Sequence, residues 1–177
     1  ISAFIPIKEF GSGFLFMATN DGTVKKTALE EFSRPRKGGI RAITIDEGDE
    51  LIGVKLTDGQ SQVILATMTG MAARFDEIDV RPTGRSSAGV RGITLRDDAV
   101  VGLEIVDETK TLLTITENGF GKRSEVKEYR KIRRGGVGVI NIKGSDRNGN
   151  TITIKAVTDE DEIILVTQGG TIIRTPV

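Results

Sequence analysis

Leu15-Phe16-Met17-Ala18-Thr19-Asn20-Asp21-Gly22 is an apolar run closed by a turn, and the same construction returns three more times along the chain. It comes back as Val63-Ile64-Leu65-Ala66-Thr67-Met68-Thr69-Gly70, as Leu112-Leu113-Thr114-Ile115-Thr116-Glu117-Asn118-Gly119, and as Ile163-Ile164-Leu165-Val166-Thr167-Gln168-Gly169-Gly170. Successive threonines are 48, 49 and 51 residues apart. The runs are rich in residues that suit a buried strand, and Thr-x-x-Gly is turn chemistry that closes a hairpin. Working outward, a second strand-like run begins sixteen residues before each threonine, at Ala3, Leu51, Val100 and Thr151. A cation stands four residues after each glycine: Lys26, Arg74, Arg123 and Arg174. Phe32, Val80 or Tyr129 follows ten residues after the glycine, and a closing Gly-x-x-x-Ile ends each complete copy at Gly39 to Ile43, Gly89 to Ile93 and Gly136 to Ile140.

Short β-branched runs separated by Gly, Asp and Asn turns predict about four strands per repeat, with no long helical periodicity anywhere. A repeat of this length with four strands is the signature of a propeller-like array, whose blades pack on their neighbours around an axis. The fold class is therefore all-β: an array of four-stranded blades in one domain, 1–177, with repeats at about 1–48, 49–97, 98–148 and 149–177. The last repeat stops soon after Arg174, which predicts a partial or truncated array or an open arc. A start at Ile1 reads as a piece of a longer polypeptide.

Composition narrows the chemistry. With 37% hydrophobic residues the chain has enough for a real core, and neither a membrane span nor a secretory leader stands out, so a cytoplasmic chain without membrane contact is expected. It has no Cys and no His, which removes disulfides, thiolate metal sites and every Ser-His or Cys-His pair. Gly11-Ser12-Gly13 lacks the third glycine and the Lys-Ser/Thr of a phosphate loop. The carboxylates Asp159 to Glu162 lack the alternating spacing of a calcium loop and read as a solvated turn. No catalytic, cofactor or metal residues are expected.

Net charge is zero, but it is not spread evenly. The stretches 23–41, 71–91 and 120–139 sum to +10, whereas 42–66, 92–115 and 140–166 sum to −9. Repetition at constant phase places the basic segments at equivalent positions on each blade, as one band. Its members are Lys25, Lys26, Arg34, Arg36, Lys37 and Arg41, then Arg74, Arg81, Arg85 and Arg91, then Lys122, Arg123, Lys127, Arg130, Lys131, Arg133 and Arg134. All but Lys127 are taken as candidate DNA contacts. Interleaved glycines let backbone approach phosphate oxygens. Only 5% of residues are aromatic and none is Trp, so a stacking platform for single strands is not expected. Duplex backbone, bent around a basic rim with little base reading, is the better partner.

Four segments carry a resemblance: Phe16 to Thr27, Gly48 to Val54, Gly89 to Ile93 and Asn118 to Arg123. In their order the whole chain is similar to the C-terminal DNA-wrapping domain of DNA gyrase A. The resemblance implies a β-pinwheel, a disc whose blades exchange strands, with DNA wrapped on its outer edge. In the intact enzyme this supports ATP-dependent negative supercoiling together with the rest of gyrase A and with gyrase B. One motif departs from the family. Its Gln-Arg-Arg-Gly-Gly-Lys-Gly box is matched only by Ile132-Arg133-Arg134-Gly135-Gly136-Val137-Gly138, an echo in a later blade. The related decatenating topoisomerase IV, a propeller used as a protein-interaction scaffold, and a spacer without a ligand remain alternatives. Tyr129 is the only tyrosine, and its place in the repeat, shared with Phe32 and Val80, reads as packing rather than as a nucleophile.

Overall fold

The turn at Thr19-Asn20-Asp21-Gly22 forms because Gly22 takes a φ of 81°, a left-handed conformation that glycine adopts without strain, and its N–H donates to the Thr19 carbonyl at 3.1 Å. Gly70, Gly119 and Gly170 repeat that conformation at the same phase. Around these turns the computed structural model, which describes residues 3–177, builds four antiparallel hairpins. They are β1 (Phe14–Thr19) with β2 (Thr23–Ala28), β4 (Gln62–Thr67) with β5 (Met71–Asp76), β8 (Thr111–Thr116) with β9 (Gly121–Glu125), and β12 (Glu162–Val166) with β13 (Ile172–Pro176).

No sheet of more than two strands is made by one repeat alone. Strand β3 (Leu51–Thr57) pairs back onto β1, β7 (Val100–Ile105) onto β4, and β11 (Thr151–Val157) onto β8. Two short closing strands, β6 (Val90–Arg91) and β10 (Val139–Ile140), pair back onto β2 and β5. The sheet orders are β3-β1-β2-β6 and β10-β5-β4-β7, then β11-β8-β9 and the pair β12-β13. A four-stranded blade thus takes its hairpin from one repeat and both flanking strands from the next. Strand β7 packs against both β3 and β11, so this row of strands forms the hub, while β6 and β10 lie at the opposite ends of their sheets.

One expectation fails at the start of the chain. The run from Ala3 is not a strand, whereas Leu51, Val100 and Thr151 do begin strands; the closing segment Gly39 to Ile43 is irregular, although its later copies contain β6 and β10. The physical reason is pairing. Each flanking strand exists by bonding to the hairpin before it, and among the described residues no hairpin precedes β1. Ile5, Ile7, Ile40 and Ala42 instead pack on Leu15, Met17, Leu29 and Phe32 and cover the outer face of the first blade.

Packing explains why the central runs are continuously apolar rather than alternating. Val63 and Leu65 of β4 face Phe16, Ala18 and Val24 of the first blade, with the Phe16 and Phe75 rings 6.4 Å apart. Ile64 and Ala66 face the other way, onto Leu112, Val126, Tyr129 and Ile154 of the third. A strand sandwiched between blades buries both faces and loses the polar alternation of a half-exposed sheet. Leu113 and Ile115 meet Ile163 and Leu165 at the last junction, where Ile164 and Val166 on the far side of β12 are exposed.

The buried carboxylates Glu77 and Glu104 are paired across the same junctions. Three single 3₁₀ turns, at Leu29–Phe32, Glu77–Asp79 and Val126–Glu128, follow β2, β5 and β9 at equal phase and are not foreseen from sequence. Glu77 is fully buried; its carboxylate accepts from Thr57 Oγ1 and the Ser61 amide, both at 2.7 Å. Lys26, from the first blade, lies 3.9 Å from the same carboxylate. At the hub, Glu104 of β7 accepts from Lys55 of β3 at 2.8 Å and pairs with Lys155 of β11 at 3.4 Å. Replacing Glu77 with Ala removes the acceptor of two donors and strands a buried ammonium, which is expected to cost about 3–5 kcal/mol in urea unfolding; a loss below about 1 kcal/mol contradicts this role.

Candidate nucleic-acid interface

The closing loops of consecutive repeats bond to one another and form a continuous belt at the outer ends of the sheets. The Thr44 hydroxyl donates to the Ser86 carbonyl at 2.7 Å, and fifty residues on the Thr94 hydroxyl donates to the Gly135 carbonyl at 2.6 Å. The Thr94 amide reaches Gly136, and the Gly135 amide reaches Gly92 at 2.7 Å. Gly135 holds a φ of 83°, a left-handed bend just after the exposed Arg133 and the half-buried Arg134. Arg130, Ile132, Arg133, Arg134 and Gly135 to Gly138 line an open hollow of about 490 Å³ on this belt.

The belt gathers most of the expected cations. Arg34, Arg36, Lys37, Arg41, Arg81, Arg91, Arg130 and Arg133 are exposed, and among the described residues no carboxylate lies within 4.0 Å of any of them. Arg85 and Arg134 are half-buried; Arg134 donates to the Arg91 carbonyl at 2.7 Å and to that of Asp79, tying the third loop to the second. Lys122, Arg123 and Lys131 are exposed but paired with Glu128, Asp159 and Asp76. Lys127 is exposed and pairs with Glu125.

Three of the sequence candidates do not belong to the surface. Lys25, Lys26 and Arg74 are 1%, 3% and 9% exposed. Lys25 Nζ donates to the Ala42 and Arg85 carbonyls at 2.8 and 2.5 Å, and Lys26 Nζ to the Glu77 carbonyl at 2.9 Å. Arg74 bonds Gln62, the Val126 carbonyl and Glu108. Burial lowers the affinity of both lysines for their protons, opposed at Lys26 by Glu77. Their donors are committed to protein oxygens.

Sequence reasoning also missed exposed cations. Arg96, Lys143 and Arg147 fall in stretches whose summed charge is acidic, so a count by segment hides them. Arg147 lies over the Phe120 ring at 4.9 Å, a pairing across 27 positions that no local signal announces.

Tyr129 is 3% exposed, and its hydroxyl donates to Asn141 Oδ1 at 2.6 Å, while Asn141 also bonds Thr114. Burial pushes its pKa above the ordinary tyrosine value, the opposite of an activated nucleophile. Among the described residues no group of three His, Cys, Asp or Glu side chains is placed to hold a metal, and no helix is long and apolar enough to cross a membrane.

A disc of blades that share strands, carrying a belt of arginines on interleaved glycine loops, defines a repeat-built β-pinwheel of the propeller type. The family model described as the DNA gyrase C-terminal domain, beta-propeller, matches residues 13–58, 61–107, 110–156 and 161–177, and the chain belongs to that family. The DNA gyrase A protein of Salmonella typhimurium is 49% identical over 100% of this chain, and that of Chlamydia pneumoniae is 48% identical over 98%. The chain spans about a fifth of the length of these relatives, 20% and 21%. Among solved structures, the C-terminal domain of DNA topoisomerase IV superposes with a TM-score of 0.90 at 29% identity, covering 97% of this chain and 55% of that one. A DNA gyrase A C-terminal domain does so at 0.85 and 28%, covering 96% and 58%.

Behind the belt, turn carboxylates are held by the backbone. Burial raises the pKa of Asp98, but hydrogen bonds from the Thr67 and Thr69 hydroxyls and from the Thr69 and Ala99 amides outweigh it and leave the value below the ordinary 3.8. Asp58 and Asp107 are lowered too, chiefly by the Gln60 amide and the Thr109 hydroxyl. A carboxyl whose folded pKa is depressed contributes stability that is present above its unfolded value and lost as pH falls through the folded one. Unfolding free energy is therefore expected to drop as pH falls below about 3.8, the ordinary aspartate value, and the Asp98→Asn chain is expected to lose less over that interval than the parent. Equal slopes in acid denaturation would refute the assignment.

Proposed function

We propose that the belt binds duplex DNA through its phosphates and bends it around the outer rim, as a non-catalytic part of a gyrase A protein. In the intact enzyme the wrap supports ATP-dependent negative supercoiling, with the rest of gyrase A and gyrase B as partners, in the cytoplasm at the nucleoid. The observation that carries this reading is the row of exposed cations on successive loops, eight of them with no carboxylate nearby among the described residues. Protein charge left unneutralised on successive loops suits a polyanion that presents phosphates along its length. The shortage of exposed aromatic side chains on the belt favours duplex over single strands. Identity of 48–49% with two gyrase A proteins over nearly the whole chain supports gyrase over its decatenating relative. The departures at Ile132 and Val137 within the box-like segment leave that loop as one of several contacts rather than the dominant one.

Binding to duplexes of unrelated sequence is expected to be similar in strength and to weaken steeply with salt, with a logarithmic slope of about −0.9 per phosphate neutralised. Replacing Arg91, Arg130 and Arg133 together with Ala is expected to reduce that slope by about 2.7 while leaving the fold intact. Fluorescence anisotropy over a salt series reads both. Binding insensitive to salt, or none to fragments of tens of base pairs, would sink the proposal.

A further inference from the structure

Three cations of the repeat are buried, and the two at identical phase make the same contact across successive junctions. Lys26 leaves β2 of the first blade and donates to the Glu77 carbonyl at 2.9 Å. Arg74 leaves β5 of the second and donates to the Val126 carbonyl at 3.0 Å. Glu77 and Val126 each open the 3₁₀ turn of the following blade. Beside each cation the next repeat's closing loop joins the same strand, the Thr83 amide on the Lys26 carbonyl and the Ile132 amide on the Arg74 carbonyl, both at 2.9 Å. Lys25 adds a second tie, gathering the Ala42 and Arg85 carbonyls of two consecutive loops onto one ammonium.

These loops are the ones that carry the exposed arginines. Taking a charge out of water is strongly unfavourable before pairing, and an apolar side chain of similar volume fills such a space with less penalty. What the cation adds is direction, because its donors hold specific carbonyls of the neighbouring blade at fixed distance. The third junction keeps part of the pattern in looser form. Arg123 pairs with Asp159 at 2.7 Å as Arg74 does with Glu108 at 3.2 Å, yet Arg123 is exposed.

We infer that Lys25, Lys26 and Arg74 are positioning residues that set the step from one blade to the next, and so the spacing of the rim arginines, without touching the nucleic acid themselves. The inference rests on the DNA reading above for its consequence, but not for the junction geometry. A direct contact and a positioning role predict different results when the charge is removed. A lost phosphate contact lowers the salt slope, whereas a slackened junction leaves the contacts available and misplaces them.

The test compares the 177-residue chain with its Lys26→Met, Arg74→Met double variant on an end-labelled duplex of about 100 base pairs, a length on the scale of DNA stiffness. Positioning predicts a salt slope unchanged within about 0.5, with the bend read by energy transfer between the ends reduced by at least about half. A slope lowered by about 1.8 marks two lost phosphate contacts and overturns the inference, as does an unchanged bend. Arg74→Lys keeps the charge but loses the reach to three partners at once. Should the double variant fail to fold, this one is read instead, a weakened bend supporting the inference and an unaltered bend opposing it. Failure of the parent chain to bind duplex would remove the DNA reading alone. Hydrogen exchange at the Thr83 and Ile132 amides then decides, with at least about tenfold loss of protection expected in the variants and no change counting against the junction role.

Discussion

Every blade of more than two strands depends on strands supplied by the next repeat. A hairpin alone is marginal in water, and here three of the four gain a third strand, and in two cases a fourth, from the repeat that follows. The dependence is mutual, since each flanking strand in turn needs the hairpin before it, so no repeat is an independent folding unit. The continuous apolar runs follow from this, because the strand between two neighbours has no face left for water. So do the places where regular structure stops: the lone hairpin β12–β13 and the irregular segment before β1 both lie where no pairing partner exists among the described residues.

The same arrangement sorts the side chains by distance from the hub. The long flanking strands occupy the hub end and the short closing strands the rim end, so segments of opposite charge, though they alternate along the sequence, are separated in space. Glycines in the closing loops let adjacent backbones meet, and the amides used there are not available to a ligand. Recognition at the rim is therefore left mainly to side chains, which suits a partner read by its charge and curvature.

Repeat length, strand content and turn chemistry were legible from one sequence, because turns at Gly22, Gly70 and Gly119 are local chemistry repeated at fixed phase; the exchange of strands between blades was implied only by the family resemblance. Charge segregation was legible for the same reason. What could not be read was which cations face outward. Lys26 and Arg36 look alike in sequence, yet one bonds a carbonyl 51 residues away in the next blade and the other is exposed. Pairings such as Lys25 with Arg85, or Arg147 over Phe120, depend on distances that only the assembled junction sets. The strand expected at Ala3 failed for a related reason: its phase was right, but a strand is a relation between two segments, and pattern alone does not supply the second.

Several carboxylates are occupied within the fold. Glu104 sits between two lysines at the hub, Glu77 is shut inside a junction, and Asp49, Asp58, Asp98 and Asp107 accept from backbone amides at turns. A chain of zero net charge therefore keeps cations without a carboxylate partner on its rim loops, while the basic and acidic segments, +10 and −9, offset each other over the whole. On the DNA reading proposed above, a polyanion within about a Debye length, ~8 Å at physiological salt, meets those rim cations first and is expected to approach edge-on.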